Sequence, residues 1–185
     1  MKHTGSPILT SERLVLRPFV IDDYASMFAN YASDPDNVTF LTWAAHTHED
    51  ITKQIVSQWI ENYQYPSTYK WAITLKEDPS QVIGDISIVN LREYIQSGEL
   101  GYVLSKKYWR QGFMTEALTT VIEYLFKTGH FNRLEATHAD SNPHSGQVMR
   151  KAGMKYIGCR RQFGLCNQGI VDSHLYEILA EDLLS

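Results

Sequence analysis

The chain has 185 residues, which suits one ordinary domain, because domains cluster near ~100–150 residues. Its composition, 43% hydrophobic and 21% charged, is typical of a globular protein and excludes a disordered or fibrous one. The formal net charge of −4 leaves no basic surface for nucleic acid or a membrane, and no apolar run approaches the roughly 20 residues that cross a bilayer.

Residues 1–7 have no apolar core of the kind found in a secretory signal, so we expect a cytoplasmic protein. Two cysteines, Cys159 and Cys166, are too few for a disulfide framework or a zinc site, and we expect both to be reduced thiols. The closest histidine pair, His46 and His48, has no helical partner four residues away. We therefore expect no metal.

The hydrophobic pattern of the first part of the chain predicts one strand and then helices. Leu14 and Leu16 alternate with other residues, which is typical of a strand, and apolar positions at helical spacing follow. Thr47, three residues before Asp50, resembles a capping box. In chain order these elements are a strand at 13–18, a helix at 22–31, a Pro-containing break at 34–37 and a helix at about 48–63.

The second part changes to the period of strands before its clearest helix, which carries Glu116 in its first turn and is expected to end at Gly129. In chain order its elements are strands at 69–75, 82–91 and 99–104, a helix at 111–128, a strand at 134–139, a helix at 143–152, and a hairpin of 155–165 and 170–179. Antiparallel strands before a βαβ crossover predict an α+β fold. We expect a single domain over residues 1–185, with residues 1–9 as a flexible tail.

The strand–loop–helix segment at residues 102–117 is where we expect ligand chemistry. The first amides of a helix have no internal partner and point outward, with the positive end of the helix dipole behind them, so such a turn can receive a phosphate. Gly112 lets the backbone approach a ligand closely, and Arg110 adds a cation. Taken alone, one glycine here is more typical of an ordinary tight turn than of a phosphate site.

Four stretches resemble the GNAT family of acetyl-CoA-dependent N-acetyltransferases, and most closely its ribosomal-protein (RimJ/RimL type) branch. They follow the family order over nearly the whole chain, which makes them far more specific than one glycine. They are residues 10–18 (TSERLVLRP), 99–104 (ELGYVL), 108–117 (YWRQGFMTEA), and 142–145 (NPHS) with 151–154 (KAGM). The wider family often begins its loop with Gln or Arg; here Trp109 stands there, so the resemblance gives that side chain no defined role.

The resemblance implies the GNAT fold, with a mixed central sheet of about seven strands, a splayed parallel pair formed by the strands at 99–104 and 134–139, and four flanking helices. It also implies acetyl-CoA as the cosubstrate, without a metal. The cofactor-binding residues that it implies are Val103, Leu104 and Ser105 through their main chain for the pantetheine arm, Arg110, Gln111, Gly112, Phe113, Met114 and Thr115 for the pyrophosphate, and Asn142 and Ser145.

Asn142 and Ser145 have two interpretations each. Asn142 before Pro143 is also an ordinary helix N-cap with proline at the first helical position, and Ser145 occupies the third. The resemblance adds that Asn142 contacts the cofactor and that Ser145 lies near the thioester sulfur, as a proton donor to the leaving thiolate.

The resemblance implies direct attack of a neutral amine on the thioester, with a backbone N–H near Val103 or Leu104 stabilising the oxyanion. Glu99 is the first candidate for the base, because alternation places it on the face of Gly101 and Val103, and it could act through water. A protein α-amine titrates near ~7.7–8.0, against ~10.4 for lysine, and so needs little help from a base. The other candidates are water alone, His138 and Asp140, with His174 after them.

The expected acceptor is a primary amine, either a protein N-terminus or a small-molecule amine, bound between the first two helices and the terminal hairpin. Aromatic residues in those parts are Phe40, Trp43, Trp59, Tyr63, Trp71 and Tyr94. Alternatives are a non-catalytic acyl-CoA-binding regulatory module and an enzyme with a longer acyl donor, whereas three consecutive strands before the loop disfavour a doubly wound nucleotide-binding fold. A homodimer is compatible with this assignment, and nucleic-acid and membrane partners are not expected.

Overall fold

Eight strands form one mixed sheet in the computed structural model, which describes residues 2–128 and 130–183. In chain order they are β1 (Leu9–Thr10), β2 (Leu14–Arg17), β3 (Lys70–Leu75), β4 (Val82–Arg92), β5 (Ser97–Leu104), β6 (Arg133–Ala139), β7 (Lys155–Cys166) and β8 (Gly169–Leu179). Their order across the sheet is β1-β2-β3-β4-β5-β6-β8-β7. Within the described residues, β5 and β6 are the one parallel pair.

Five α-helices cover this sheet in the described part of the chain: α1 (Asp23–Met27), α2 (Pro35–Val38), α3 (Glu49–Asn62), α4 (Phe113–Thr128) and α5 (Pro143–Lys151). The predicted α+β architecture is confirmed, with one strand and one helix more than expected. The extra helix, α2, lies at the predicted break, where Asp34 accepts a hydrogen bond from the Asp36 N–H at 3.0 Å and Pro35 occupies the first helical position. Gly129, expected to end α4, lies outside the described residues.

Hydrophobic residues fill both faces of the sheet because strand side chains alternate between them. Leu14 and Leu16 of β2 face the larger cluster, which includes the predicted stripe of α4. Every residue of that stripe is at most 1% exposed: Ala117, Leu118, Val121, Ile122 and Leu125. On the opposite face, Val103 of β5 packs in the cluster beneath α1 and α3. The sheet therefore separates two cores, and any gap in it joins its two faces.

Such a gap exists between β5 and β6. The two strands pair from Ser97 opposite Arg133 to Leu100 opposite Ala136, although β5 continues to Leu104 and β6 to Ala139. The predicted splay of the parallel pair is therefore present. It leaves a wedge whose backbone groups lack the partner strand, and α4 and α5 follow directly from its two sides.

The segment before β1 is held by the body of the protein. The Trp71 indole N–H donates to the Pro7 carbonyl at 2.8 Å, and Ser6 Oγ both donates to Thr68 O and accepts from the Lys70 N–H. The Gly5 N–H donates to a carbonyl of the loop before β3 at 2.9 Å. Much of the segment expected as a flexible tail is thus docked. The described residues include no helix long and apolar enough to span a membrane.

Candidate active site

A nest of unpaired backbone N–H groups lies where β5 leads into α4. Arg110 and Gly112 have left-handed φ angles of 62° and 83°, which turn the chain sharply before the helix begins. Within the described residues, the amides of residues 110–115 have no acceptor, and the first that has one is Glu116, whose N–H donates to Gly112 O at 3.0 Å. At the positive end of a 16-residue helix, these amides form a receptor for an anion.

Trp109 ties this loop to the end of β5. Its indole N–H donates to the Leu104 carbonyl at 2.7 Å, and the same oxygen accepts a second 2.7 Å bond from the Asn37 side chain. The ring remains 46% exposed. The side chain at this position therefore anchors the loop, and the Leu104 carbonyl is already occupied by protein donors.

The register of β5 decides which main-chain groups face the wedge. The Ser105 N–H donates to Ile83 O at 2.8 Å, so the odd-numbered residues of β5 bond to β4 and the even-numbered ones point toward β6. Tyr102 and the Leu104 N–H therefore face the wedge. This corrects the expected main-chain contacts: those of Val103 and Ser105 are directed at β4, and Tyr102 takes their place beside Leu104.

A cavity of about 390 Å³ opens beside the wedge, between the loop at residues 40–43 and the β7–β8 hairpin. Glu99, Gly101 and Val103 line it from β5, and Thr137 lines it from β6. Of the six aromatic candidates, Phe40, Trp43 and Trp59 also line it, whereas Trp71 is fully buried in the core and Tyr94 is 85% exposed outside it. Tyr63 instead donates from its hydroxyl to Lys70 O at 2.9 Å.

Two acidic side chains of the cavity differ in their partners. Asp85 is buried and satisfied, because Lys70 Nζ lies 2.7 Å from one carboxylate oxygen and the Tyr31 hydroxyl donates to the other at 2.8 Å. Burial, followed by the charge of Asp85, raises the pKa of Tyr31 well above its ordinary value. Glu99 makes no ion pair within the described residues, and its Oε1 accepts a single 3.3 Å bond from Thr137 Oγ1. Of these two carboxylates, Glu99 is the one without a charged partner in the described chain.

Ser145 pairs with a residue that the sequence analysis left without a role. Its Oγ lies 2.9 Å from the hydroxyl of Tyr102, which also lies 3.2 Å from Ser145 O. Burial raises the pKa of Tyr102 far above its ordinary value and outweighs the opposite effect of the Ser145 bond, so this hydroxyl stays protonated at neutral pH. Its position one residue before Val103 in β5 was the only signal in the sequence.

Asn142 has the backbone position of a helix cap without the capping bond. Pro143 is the first residue of α5, yet the Asn142 side chain makes no capping hydrogen bond, and it lines the cavity. Capping therefore does not occupy this amide group, which is available to a ligand.

The alternative bases are less well placed than Glu99. His138 lines the same cavity, but its ring stacks on His174 at 5.1 Å and its Nδ1 lies 2.7 Å from Ala139 O. Burial lowers the pKa of His138 below its ordinary value, partly offset by the bond to Ala139. His174 Nδ1 is 3.1 Å from the Tyr156 hydroxyl, and Asp140 is exposed outside the cavity lining.

Neither the cysteines nor the other titratable groups form a metal centre within residues 2–128 and 130–183, where no three His, Cys, Asp or Glu side chains are grouped as ligands. Both cysteines are free thiols. Cys159 is exposed, whereas Cys166 is buried and lines the cavity.

Comparison with known proteins agrees with this geometry. Residues 13–155 match the model of the acetyltransferase (GNAT) domain family. The chain therefore belongs to the GNAT family of acetyl-CoA-dependent N-acetyltransferases. The resemblance seen in the sequence is confirmed. The uncharacterized N-acetyltransferase YoaA of Bacillus subtilis (strain 168) is 28% identical over 175 residues, 94% of this chain and 97% of that protein.

Three further comparisons concern a ribosomal-protein enzyme and two solved structures. The ribosomal protein uS5-alanine N-acetyltransferase of Escherichia coli (strain K12) is 27% identical over 162 residues, 84% of this chain and 81% of that enzyme. A GNAT acetyltransferase from Bacillus anthracis superposes with a TM-score of 0.82 at 25% identity, over 95% of this chain and 99% of that one. RimL, a ribosomal L7/L12 alpha-N-protein acetyltransferase solved with coenzyme A, shares the fold, with a TM-score of 0.83 at 19% identity over 94% and 98% of the two chains.

Proposed function

We propose that this chain transfers the acetyl group of acetyl-CoA to a primary amine that enters the cavity beside the wedge. One observation carries the proposal: the splayed ends of β5 and β6 connect the nest of free amides on one side with a cavity that contains an unpaired carboxylate on the other.

The residues present fit acetyl-CoA. The free amides of residues 110–115 suit its diphosphate, and the unpaired main-chain groups of Tyr102 suit the amides of its pantetheine arm, as a peptide adds to a strand edge. Asn142 offers a side-chain amide that nothing in the described chain occupies. When bound, acetyl-CoA supplies a thioester carbonyl that a neutral amine can attack directly.

The chain's own groups divide the proton transfers between the two faces of the sheet. Glu99 accepts the proton of the amine, directly or through water, on the cavity side. Ser145 donates the proton that the leaving thiolate needs, and the Tyr102 hydroxyl holds the Ser145 Oγ in place. The Leu104 N–H, which faces the wedge, is the group placed to stabilise negative charge on the carbonyl oxygen.

The acceptor that suits this site best is an α-amine, such as the N-terminus of a protein. At neutral pH about a tenth to a fifth of such amines are already neutral, against well under a thousandth of lysine side chains, so one carboxylate suffices. The relative that acts on ribosomal protein uS5 supports a protein acceptor. A small-molecule amine is the second candidate, since the cavity of about 390 Å³ can enclose one. The homodimer stays a prediction, and the non-catalytic acyl-CoA-binding module and the enzyme with a longer acyl donor stay alternatives.

The cofactor site is tested by Gly112→Asp, which places a carboxylate in the nest, where it would repel the diphosphate. We expect the Kd for CoA, measured by titration calorimetry, to rise by roughly 100-fold or more, which corresponds to ~2.7 kcal/mol. Gly169→Asp is the matched control, because Gly169 also has a positive φ, of 96°, and no atom stands within 4 Å of its added Cβ. Unchanged CoA affinity in Gly112→Asp would refute the loop assignment.

The acceptor is tested with the wild-type chain by thiol release from acetyl-CoA at pH 7. Peptides with a free N-terminus are compared with the same peptides N-terminally blocked and carrying one lysine. We expect turnover with the free α-amines alone. Faster turnover with the lysine peptides would contradict the α-amine assignment and leave the acetyl-CoA site untouched.

A further inference from the structure

Arg13, about 100 residues earlier in the chain than the loop, reaches the nest of amides from the start of β2. Its Nη1 donates to the Gln111 carbonyl at 3.0 Å, and its Nε and Nη2 each lie 2.7 Å from Glu116 Oε2. The guanidinium carbon stands 4.2 Å from the centre of the Phe113 ring. One side chain thus contacts the loop, the first residue of α4 and its first turn.

The contact with Gln111 falls at the point where the loop needs support. Gln111 lies between Arg110 and Gly112, the two residues with left-handed φ angles, and a non-glycine residue such as Arg110 adopts this conformation at a cost. A hydrogen bond to the carbonyl between them fixes the orientation of both adjoining peptide groups. Arg13 thereby holds the turn that aims the free amides outward.

The contact with Glu116 removes a charge from the anion site. Glu116 stands in the first turn of α4, where its carboxylate would repel a bound diphosphate. It also accepts from the Arg13 N–H and from Ser11 Oγ, each at 2.7 Å. Its carboxylate is therefore fully engaged by the segment before β2, and the guanidinium neutralises it.

We infer that Arg13 is a positioning residue for the diphosphate of acetyl-CoA, which fixes the loop through Gln111 and neutralises Glu116. This inference rests on the proposed function, which assigns the diphosphate to this loop. It predicts that replacing Arg13 weakens the binding of ligands that carry a diphosphate and leaves the binding of pantetheine unchanged.

The test measures the dissociation constants of CoA and of pantetheine, which lacks the diphosphate. Because only binding is measured, no acceptor amine is needed. In Arg13→Gln we expect the Kd for CoA to rise about tenfold and the Kd for pantetheine to stay within twofold. Arg17→Gln is the matched control: Arg17 is the last residue of β2, which Arg13 precedes, and it makes a bidentate pair with a carboxylate, Asp23, away from the loop. We expect it to leave both constants within twofold.

Action through Glu116 is tested by repeating Arg13→Gln in a Glu116→Gln chain. Without the Glu116 carboxylate, Arg13 has no charge to neutralise there. We therefore expect Arg13→Gln to lower the CoA affinity by only about threefold in this background. An equal loss in both backgrounds would overturn the action through Glu116, because the contact with Gln111 does not depend on that carboxylate. If Arg13→Gln does not fold, Arg13→Lys keeps the charge without the fork and should still weaken CoA alone.

Equal weakening of CoA and pantetheine, or no weakening of either, would overturn the inference. Its failure is distinct from failure of the proposed function, because Gly112→Asp places a carboxylate in the loop itself, whereas Arg13→Gln leaves every residue of the loop unchanged. Weak CoA binding in Gly112→Asp with normal binding in Arg13→Gln would retain the site and remove Arg13 from it.

Discussion

At the scale of single residues, the alternation of side chains along β5 separates the two groups proposed to transfer protons. Glu99 and Tyr102 are three positions apart and therefore face opposite sides of the sheet. Ser145 meets Tyr102 on the side of α5, and both residues line the same cavity as Glu99. A thioester held in the wedge between them would have a proton acceptor toward the incoming amine and a proton donor toward its sulfur.

The proton donor is tested by Ser145→Ala. We expect kcat to fall by roughly 100-fold, the lower end of the range for general acids, because a thiolate is already a good leaving group. The Kd for CoA should stay within about twofold, since Ser145 contributes no amide to the nest. Ser141→Ala makes the same chemical change at an exposed serine that bonds only Gln168 in the described chain. A wild-type kcat in Ser145→Ala would remove this residue from the mechanism.

Glu116 gives a prediction about pH. Burial raises its pKa, but the hydrogen bonds from Arg13 and Ser11 outweigh burial and hold the pKa below the ordinary 4.5. A carboxyl group with a lowered folded-state pKa stabilises the fold above its unfolded pKa and loses that contribution as the pH falls through the folded value. Glu116→Gln should therefore cost about 1–2 kcal/mol at pH 7 and progressively less below pH 4.5. Urea unfolding of both chains at pH 7 and in acid measures this difference, and a constant difference would contradict it.

At the scale of elements, β4 and β5 approach each other more closely at Gly84 than a side chain allows. A Cβ built there would lie 2.4 Å from the Val103 carbonyl oxygen, a backbone atom of the strand that borders the wedge. Because backbone cannot rotate away as a side chain can, this glycine holds β5 in its observed place. The geometry of the site thus depends on a residue outside it.

Gly84→Ala should lower the free energy of unfolding by about 2 kcal/mol or more, as other overpacked sites do. Gly101→Ala is the matched comparison in β5: its Cβ would meet Val89 Cγ1 at 2.7 Å, but Val89 is 63% exposed and its side chain can turn aside. We expect that substitution to cost less than about 1 kcal/mol. Equal losses in the two chains, measured by urea unfolding, would show that the contact with Val103 does not govern this strand.

The long helices and strands were predicted well from the sequence because their apolar residues repeat at a clear helical or strand spacing. The apolar stripe of α4 and the hairpin of β7 and β8 are present as expected. The short elements were missed, because tertiary contacts decide them. α2 lies within a Pro-containing segment, and its Asn37 bonds Leu104 O and the Lys106 N–H, 67 and 69 residues later in the chain. The predicted first helix continues from α1 as a π-helix at Phe28–Ala32, which apolar spacing does not distinguish.

At the scale of the whole molecule, the site joins segments that lie far apart in the chain. Spacing and resemblance identified the local parts, such as the loop around Gly112 and the start of α5. They could not identify Tyr102 as the partner of Ser145, or Arg13 as the partner of Gln111, because these contacts span 43 and 98 residues and depend on the register of the sheet. The same register moved the expected main-chain contacts from Val103 and Ser105 to Tyr102.

The N-terminal segment provides a test of the whole fold apart from the site. Its hydrogen bonds include those of Pro7 O with the Trp71 indole and of Ser6 Oγ with Lys70 N and Thr68 O, and Trp71 is fully buried. A chain lacking residues 2–7 should therefore lose about 2–4 kcal/mol of unfolding free energy, at roughly 0.5–1.5 kcal/mol per hydrogen bond. Its Kd for CoA should stay within about twofold, because the segment donates nothing to the nest or the wedge. Deleting Lys2 alone is the control. Unchanged stability of the shortened chain would mean that the segment is the flexible tail expected from the sequence.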